Sequence, residues 1–140
     1  YCTTVPNCSP SMLGGAVVYS PQSKTVLAGV PTSLLEEFGT VAPETSLSLA
    51  SGIRDRLRSD IGMGVTGYAG PTGGTAEHPV GRVYWALMAK GAHRLQAYDI
   101  PGDRSAVVRG AIKAGFDLLR GFLASEYGIA PERGGDNGGS

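Results

Sequence analysis

Apolar and polar residues follow one another in short blocks, and these blocks predict alternating strands and helices. The nearly unbroken apolar run from Leu13 to Tyr19 is typical of a strand that is buried on both faces. Further strands are expected at 61–65, 82–89 and 93–100, the last two forming a hairpin that turns at Gly91. Only four strands are visible in this pattern, so the sheet is either incomplete or completed by a partner.

Capping residues mark four helices around these strands. Ser20 and Pro21 are typical of an N-cap and a first helical residue, and Gly29 is typical of the end of that short helix. A second short helix is expected at 31–38. Two longer helices are expected at 43–58 and at 104–126, because each carries apolar residues at spacings of three and four.

The same spacings predict which faces of the two longer helices are buried. On the helix at 43–58 the predicted buried residues are Leu47, Ala50, Ile53 and Leu57. On the helix at 104–126 they are Val108, Ile112, Gly115, Leu119 and Phe122. The order of elements predicts an α/β fold in which helices flank a mixed sheet. One domain is expected over residues 1–128, followed by a disordered, glycine-rich polar tail at 129–140.

Composition narrows the classes of function. Twelve basic residues balance twelve acidic residues, and 41% of the 140 residues are hydrophobic, which is typical of a globular protein. This balance argues against a nucleic-acid groove or a basic membrane-binding patch. No apolar run approaches the length of a membrane-spanning helix, and no signal peptide is visible. The chain begins without methionine, so we expect a fragment or a processed product.

Cysteine and histidine usage gives no indication of a metal site. The two cysteines, Cys2 and Cys8, are too few for a disulfide framework, and the two histidines, His78 and His93, lie far apart in sequence. A disulfide between the cysteines is open, but we expect reduced thiols, as in a cytoplasmic protein. No metal and no cofactor are expected.

The most unusual stretch is the glycine-rich loop, defined as residues 66–81. It holds five of the 22 glycines and two of the nine prolines, and strand-like runs flank it. A long loop between two strands is more often functional than not, although a plain solvent-exposed connection is the alternative. Successive free backbone N–H groups in such a loop can bind an anion, and the pattern alone favours neither an anion site nor a plain loop.

A serine and a lysine are the candidate catalytic groups. Ser9 is a possible nucleophile, Lys24 a base if its ammonium is partly withdrawn from water, and Tyr19 a residue that relays a proton or orients the lysine. Residue types alone are weak evidence for catalysis. The same residues also fit a non-catalytic interpretation, in which Ser9 lies in a capped turn, Tyr19 is a half-buried strand residue and Lys24 is a solvated helix residue. Cys8 is a competing nucleophile, ranked below Ser9 because it has no partnered histidine.

The turn Pro101-Gly102-Asp103-Arg104 precedes the longest predicted helix. A helix N-terminus favours anions, and the guanidinium of Arg104 suits phosphate or carboxylate. The simpler interpretation, which we slightly favour on the pattern alone, is that Asp103 is only an N-cap and Arg104 only an exposed side chain.

Together these segments resemble the CinA C-terminal domain family, which includes the nicotinamide-nucleotide amidases. The resemblance spans roughly residues 5–125. The matching stretches are Leu13-Gly14-Gly15-Ala16-Val17-Val18-Tyr19-Ser20 with Lys24, Gly29-Val30-Pro31, Thr66-Gly67-Tyr68-Ala69-Gly70-Pro71 with Gly73-Gly74, Pro79-Val80-Gly81 and Pro101-Gly102-Asp103-Arg104.

The resemblance implies a fold, a reaction and a set of residues. It implies a three-layer α/β/α sandwich, commonly a homodimer, that hydrolyses nicotinamide mononucleotide to nicotinate mononucleotide and ammonia without a metal. Ser9, Tyr19 and Lys24 fall at the family's nucleophile, tyrosine and base. The residues expected to hold the nucleotide are Thr66, Gly67, Gly70, Gly73, Gly74 and Arg104.

The sequence also departs from the family pattern. Family members normally begin with a helix and a strand ending in Glu-Ser-Cys-Thr-Gly-Gly, which contributes to the sheet and is absent here. Pro21 stands where an asparagine is usual, and His78 where a lysine is usual. The alternatives to an active amidase are therefore a catalytically degenerate nucleotide-binding domain and an assembly domain without a pocket.

Overall fold

The structure, a computed structural model, describes residues 2–129. The framework of this part of the chain is a three-stranded antiparallel sheet. The elements, in chain order, are a 3-10 turn at Cys2–Thr4, α1 at Pro21–Ala28, α2 at Thr32–Phe38, α3 at Pro43–Leu57, β1 at Ile61–Gly67, β2 at Arg82–Ala89, β3 at Ala92–Asp99 and α4 at Arg104–Tyr127. The strands lie in the order β1-β2-β3, with α3 on one face of the sheet and α4 on the other. The predicted α/β class is confirmed.

Helix α3 packs unusually close to the sheet because β1 presents glycines to it. A Cβ atom at Gly62 would lie 2.0 Å from the carbonyl oxygen of Ala50, and one at Gly64 would lie 2.3 Å from that of Ser46. The helix therefore buries the small residues Thr45, Ser46 and Ala50, together with Leu49. Of the predicted face only Ala50 is fully buried, and Leu47, Ile53 and Leu57 are partly buried, because the glycines of β1 draw the side of the helix that carries Ser46 and Ala50 against the sheet.

Trp85 sets the rotation of α4 on the opposite face of the sheet. Its indole Nε1 donates a hydrogen bond of 2.8 Å to the carbonyl oxygen of Ala111, and its ring fills the space that a side chain at Gly115 would need. The buried residues of α4 are Val107, Gly115, Leu118 and Phe122. Gly115 and Phe122 were predicted; Val108 is exposed, and Ile112 and Leu119 are only partly buried.

The strand predicted from Leu13 to Tyr19 does not form within the described residues. This segment has no regular secondary structure, and all of it is exposed except Val18, which packs beside the small core of Ala28, Val30 and Leu49. An apolar run becomes a strand only when a neighbouring strand satisfies its backbone N–H and C=O groups. Because the segment does not pair, the described strands are all antiparallel, where a mixed sheet was expected.

The ends of the elements follow the capping signals closely. Ser20 and Ser23 form a capping box at the start of α1, and Gly29 ends that helix with a φ of 70°. Helix α4 ends at Tyr127, with Gly128 as its C-cap. The predicted disordered tail lies outside the described residues, apart from Ile129. Within residues 2–129 no helix is long and apolar enough to cross a membrane, and Cys2 and Cys8 are free thiols.

Candidate active site

The glycine-rich loop is closed at its base by hydrogen bonds that continue the β1–β2 ladder. The N–H of Tyr68 donates to the carbonyl oxygen of Arg82 at 3.1 Å, and the N–H of Gly81 donates to that of Tyr68 at 2.7 Å. Strand β1 reaches Gly67, two residues further than predicted, so Thr66 and Gly67 belong to the sheet. The loop therefore leaves the sheet at a fixed point and in a fixed direction.

Two glycines shape the interior of the loop. Gly73 and Gly74 have φ values of 89° and 82°, in the left-handed region that favours glycine. A Cβ atom at Gly73 would lie 3.0 Å from the ring of Tyr68, and one at Gly74 would lie 2.8 Å from the backbone nitrogen of Val80. Both conformation and close packing require glycine at these positions, so their first role is to let the loop fold back on its own base.

Arg104 joins the loop to the start of α4. Its Nη1 donates a hydrogen bond of 2.9 Å to the carbonyl oxygen of Gly70, which is 34 residues earlier in the chain. A cleft of about 570 Å³ lies at this junction, and we call it the Gly70–Arg104 cleft. Its lining consists of Ala69, Gly70, Pro71, Val80, Gly102, Asp103, Arg104 and Ser105. Two of the predicted nucleotide-binding residues thus meet at one cavity.

The floor of this cleft is the N-terminus of α4. Asp103 is the N-cap, as predicted: its carboxylate accepts a hydrogen bond of 2.8 Å from the N–H of Ala106. Asp103 occupies a position where a negative ligand would otherwise be favoured by the helix dipole. Arg104 is therefore the cation that remains to attract an anionic group to the cleft.

The hydroxyl of Thr66 is engaged in a buried hydrogen bond within the protein. Thr66 is 7% exposed, and its Oγ1 donates a hydrogen bond of 2.7 Å to the carbonyl oxygen of Thr40. This bond ties β1 to the segment before α3. The neighbouring Gly67 packs against the backbone of β2, where a Cβ atom would lie 2.7 Å from the carbonyl oxygen of Arg82. Both residues hold the base of the loop.

A row of four polar side chains supports the far end of the loop. His78 Nδ1 lies 2.7 Å from the hydroxyl oxygen of Tyr84, and Arg82 Nη1 donates to the same oxygen at 3.4 Å. Arg82 is in turn held by both carboxylate oxygens of Asp99, with Nη2 3.0 Å from Oδ2. The hydrogen bond to Asp99 raises the pKa of Arg82 above its already high value, so Arg82 stays charged.

Lys24 is the most deeply buried charged residue near the predicted catalytic segment. It lies in the first turns of α1 with 7% of its surface exposed, and its Nζ donates a hydrogen bond of 2.8 Å to the carbonyl oxygen of Val18. No carboxylate forms an ion pair with it within residues 2–129. Burial lowers the pKa of Lys24, because an ammonium that leaves water without a negative partner is destabilised.

The other two predicted catalytic residues lie on the surface. Ser9 is exposed, and so is Tyr19, of which 87% is accessible. In the described part of the chain no hydrogen bond joins Ser9 or Tyr19 to Lys24. Cys8, the competing nucleophile, lies in the turn beside Ser9, where its carbonyl oxygen accepts hydrogen bonds from the N–H groups of Ser11 and Met12 at 2.9 Å.

The predicted residues thus fall into three groups, of which the first, Thr66 and Gly67, holds the base of the loop. Gly70 and Arg104 meet at the cleft, and Gly73 and Gly74 shape the loop beside it. Lys24 is linked through Val18 to the segment that carries Tyr19 and Ser9, and none of these three catalytic candidates lines the cleft.

Sequence reasoning missed the contact of His78 with Tyr84 and that of Arg82 with Asp99. The second contact had a usable signal. A two-residue hairpin turn at Lys90-Gly91 fixes the register of β2 and β3, and this register pairs Arg82 with Asp99. The first contact had none, because the position of His78 depends on how the loop folds back.

Comparison with known proteins places this geometry in a family. The family model for the CinA C-terminal domain matches residues 1–123. A CinA-like protein of Myxococcus xanthus is 43% identical over 122 residues, which cover 86% of this chain and 29% of that protein. A putative competence-damage inducible protein of Desulforudis audaxviator is 39% identical over 121 residues, again 86% of this chain and 29% of the relative. The chain therefore spans less than a third of the length of these relatives.

Solved structures share the fold. The competence/damage inducible protein CihA from Agrobacterium tumefaciens is 32% identical with a TM-score of 0.80, covering 84% of this chain and 72% of that one. A competence or damage-inducible protein from Enterobacter asburiae is 31% identical with a TM-score of 0.79, covering 84% and 74% of the two chains. Sequence and fold agree, and the chain belongs to the CinA C-terminal domain family.

Proposed function

We propose that this domain is an amidohydrolase that converts nicotinamide mononucleotide to nicotinate mononucleotide and ammonia. The observation that carries the proposal is the state of Lys24. A lysine that is 7% exposed, has no carboxylate partner within residues 2–129 and has a lowered pKa is suited to accept a proton.

The proposed reaction is acyl transfer through Ser9. Lys24 in its neutral form takes the proton of the Ser9 hydroxyl while the oxygen attacks the carboxamide carbon of the substrate. Lys24 then gives this proton to the departing nitrogen, which leaves as ammonia. Water hydrolyses the resulting ester and frees Ser9. In this scheme Tyr19 orients Lys24, and backbone N–H groups stabilise the negative charge on the carbonyl oxygen.

The Gly70–Arg104 cleft is the proposed site of the nucleotide part of the substrate. Arg104 supplies a fixed cation suited to a phosphate, and the loop supplies backbone N–H groups. Catalysis then requires that the segment carrying Ser9 and Tyr19 approach both Lys24 and the bound substrate. This approach is compatible with the exposure of Ser9 and with its lack of hydrogen bonds to Lys24 in residues 2–129.

Product analysis tests the proposal. Incubation with nicotinamide mononucleotide should release ammonia and nicotinate mononucleotide in equal amounts. Ser9→Ala and Lys24→Met should each abolish turnover, whereas the matched variants Ser11→Ala and Lys90→Met, which change an exposed serine and an exposed lysine, should leave it unchanged. Unchanged turnover in both Ser9→Ala and Lys24→Met would overturn the assignment of roles.

A second candidate is a domain that binds the nucleotide without hydrolysing it. The observation that favours it is that Lys24 Nζ is bonded to the carbonyl oxygen of Val18, while Ser9 lies exposed elsewhere on the surface. Calorimetry distinguishes the two. Binding of nicotinamide mononucleotide that Arg104→Ala weakens, together with no ammonia after prolonged incubation, would select the binding domain.

A further inference from the structure

The open edge of β1 has the properties of a strand that pairs with another strand. β1 lies at the edge of the sheet, and among residues 2–129 it forms a ladder with β2 alone. Its seven residues, Ile61–Gly67, include no charged side chain and no proline. Edge strands that must stay unpaired usually carry such residues, as β3 does with Arg94 and Asp99. The sequence of β1 therefore leaves its edge open to an added strand.

Residues 13–19, which we call the donor segment, are the matching partner for such an edge. The segment has the apolar pattern of a strand, yet no backbone–backbone hydrogen bond joins it to another part of residues 2–129. Val17 and Tyr19 are 89% and 87% exposed. Pairing with a strand would satisfy the backbone N–H and C=O groups of the segment and cover these side chains.

The donor segment follows α3 from the end of that helix toward its start. A Cβ atom at Gly14 would lie 3.5 Å from a methyl group of Leu57, the last residue of α3. Val18 packs against the cluster that contains Leu49, about two turns earlier in the helix. Ser9 belongs to the turn that directly precedes the segment, so it lies at the C-terminal end of α3.

The glycine-rich loop begins at the opposite end of α3. A Cβ atom at Gly64 would lie 2.3 Å from the carbonyl oxygen of Ser46, in the first turn of α3. Thr66 is bonded to Thr40, just before that helix. β1 therefore runs in the same direction as the donor segment. Within one copy of the chain, Ser9 and the loop lie at opposite ends of α3.

We propose that two copies of the chain pair through these elements, so that the donor segment of each adds to the β1 edge of the other and the partner's Ser9 acts with Lys24 and the Gly70–Arg104 cleft. A two-fold axis perpendicular to the sheet reverses the direction of every strand of the partner. The partner's donor segment is then antiparallel to β1. Its first residues, preceded by the partner's Ser9, therefore lie at the loop end of β1.

A shared site accounts for the separation of the catalytic candidates within one copy. Lys24 is bonded to Val18, while Gly14, the neighbour of the turn that holds Ser9, lies about 11 Å further along α3. Proton transfer needs the two groups at about 3 Å. The approach that catalysis requires is then made by the partner's segment. The inference rests on the proposed function for the roles of Ser9 and Lys24.

Mixing two inactive variants tests the shared site. In a dimer of one Ser9→Ala copy and one Lys24→Met copy, a shared site leaves one of the two sites with both groups intact. Random pairing of equal amounts of the two variants after joint refolding should therefore restore about a quarter of wild-type turnover. A mixture that stays inactive while the refolded wild-type protein is active would overturn the proposal.

Disulfide trapping tests the pairing without any turnover. Ser9→Cys and Lys24→Cys are combined in one chain, in a background of Cys2→Ser and Cys8→Ser, and oxidised. The expected product on a non-reducing gel is a covalent dimer that Ser9→Cys alone does not form. A cross-linked monomer, or no cross-link, would overturn the proposal. A trapped dimer without wild-type turnover would remove the amidase and leave the pairing, and the reverse result would leave the amidase.

Sedimentation of charged variants tests the donor segment as the interface. The side chain of Val17 is 89% exposed, so Val17→Asp should fold normally and raise the dissociation constant of the dimer about tenfold or more, because a charged side chain opposes strand pairing. Val108→Asp changes a valine on α4 that is 44% exposed and should leave the dimer intact. A monomeric wild-type protein, or equal effects of the two substitutions, would show that another occupant covers the β1 edge and would overturn the proposal.

Discussion

Lys24 combines a charge with a buried position. Among residues 2–129 its Nζ is bonded only to a neutral carbonyl oxygen, that of Val18, and no carboxylate there pairs with it to offset the loss of hydration. Desolvation without a counter-charge lowers the pKa of a lysine and raises the fraction of neutral amine near neutral pH. Burial of Lys24 therefore favours its neutral amine, which is the form that a general base needs.

The pH dependence of turnover should follow Lys24. If it is the base, kcat/KM rises with pH through a pKa below the ordinary lysine value of 10.5, because the neutral amine is the active form. Rate measurements between about pH 6 and pH 10 test this expectation. Lys24→Arg should be inactive throughout, since a guanidinium does not deprotonate in this range. A rate that is flat across the range would contradict the assignment.

The same shift predicts how stability depends on pH. Because folding lowers the pKa of Lys24, the charged form destabilises the native state, and this destabilisation is fully present below the lowered pKa. It disappears as the pH rises toward 10.5, where the unfolded chain also loses the proton. The free energy of unfolding of the wild-type protein should therefore rise relative to Lys24→Met between about pH 7 and about pH 10. Denaturant titrations at both pH values measure this difference. The corresponding difference between the wild-type protein and Lys90→Met, which changes an exposed lysine, should not depend on pH.

The rotation of each helix is decided by its partner in the sheet. Apolar spacing predicted both α3 and α4 and located their ends closely, since caps and period are local properties. It did not predict which stripe faces inward. For α3 the glycines at 62 and 64 place Ser46 and Ala50 against the sheet, and for α4 the indole of Trp85 packs against Gly115. The rotation of a helix about its axis depends on packing partners that are distant in sequence, and the apolar period of the helix carries no information about them.

A pair of glycine substitutions tests this account of α3. Gly64→Ala would bring a Cβ atom to 2.3 Å from the carbonyl oxygen of Ser46 and 2.6 Å from the nitrogen of Ala50, both backbone atoms. The helix must move, so we expect a loss of about 3 kcal/mol in the free energy of unfolding. Chemical denaturation followed by circular dichroism measures this loss.

Gly121→Ala is the matched control. In this exposed part of α4 the nearest atom to a new Cβ is Arg94 Nη1 at 4.0 Å. Alanine favours a helix over glycine, so this variant should gain about 0.5 to 1 kcal/mol. Equal effects of the two substitutions would show that close packing against β1 does not set the position of α3.

The whole molecule brings three distant segments together at one corner. The loop returns to the sheet at Gly81, whose carbonyl oxygen accepts a hydrogen bond of 3.0 Å from the N–H of Ile100 at the end of β3. Four residues later Arg104 begins α4 and reaches back to Gly70. The cleft is therefore a product of the order β1-loop-β2-β3-α4.

The sequence identified both sides of this corner but not their contact. For the loop and for the turn at 101–104 the pattern left an anion site as one of two open interpretations, and the resemblance added specific residues. The bond between Arg104 and Gly70 spans 34 residues and depends on the lengths of β2 and β3, which no local pattern contains. Local pattern also explains the wrong prediction at 13–19. The apolar run predicted a strand there, but the pattern does not show whether a neighbouring strand pairs with it.

Arg104 should matter for both the cleft and its ligand. Arg104→Ala removes the bond to Gly70 and the cation facing the cleft, so the Kd for nicotinamide mononucleotide should rise about tenfold or more, since hydrogen bonds to charged groups are among the stronger ones. The loss in stability should be smaller, about 1 kcal/mol, because Arg104 is largely exposed. Calorimetric titration and thermal unfolding measure the two effects separately. Arg120→Ala removes an exposed arginine further along α4, whose partner is Asp117, and should change neither by a comparable amount. If Arg104→Ala and Arg120→Ala weaken binding equally, then net charge attracts the nucleotide and the cleft does not hold it.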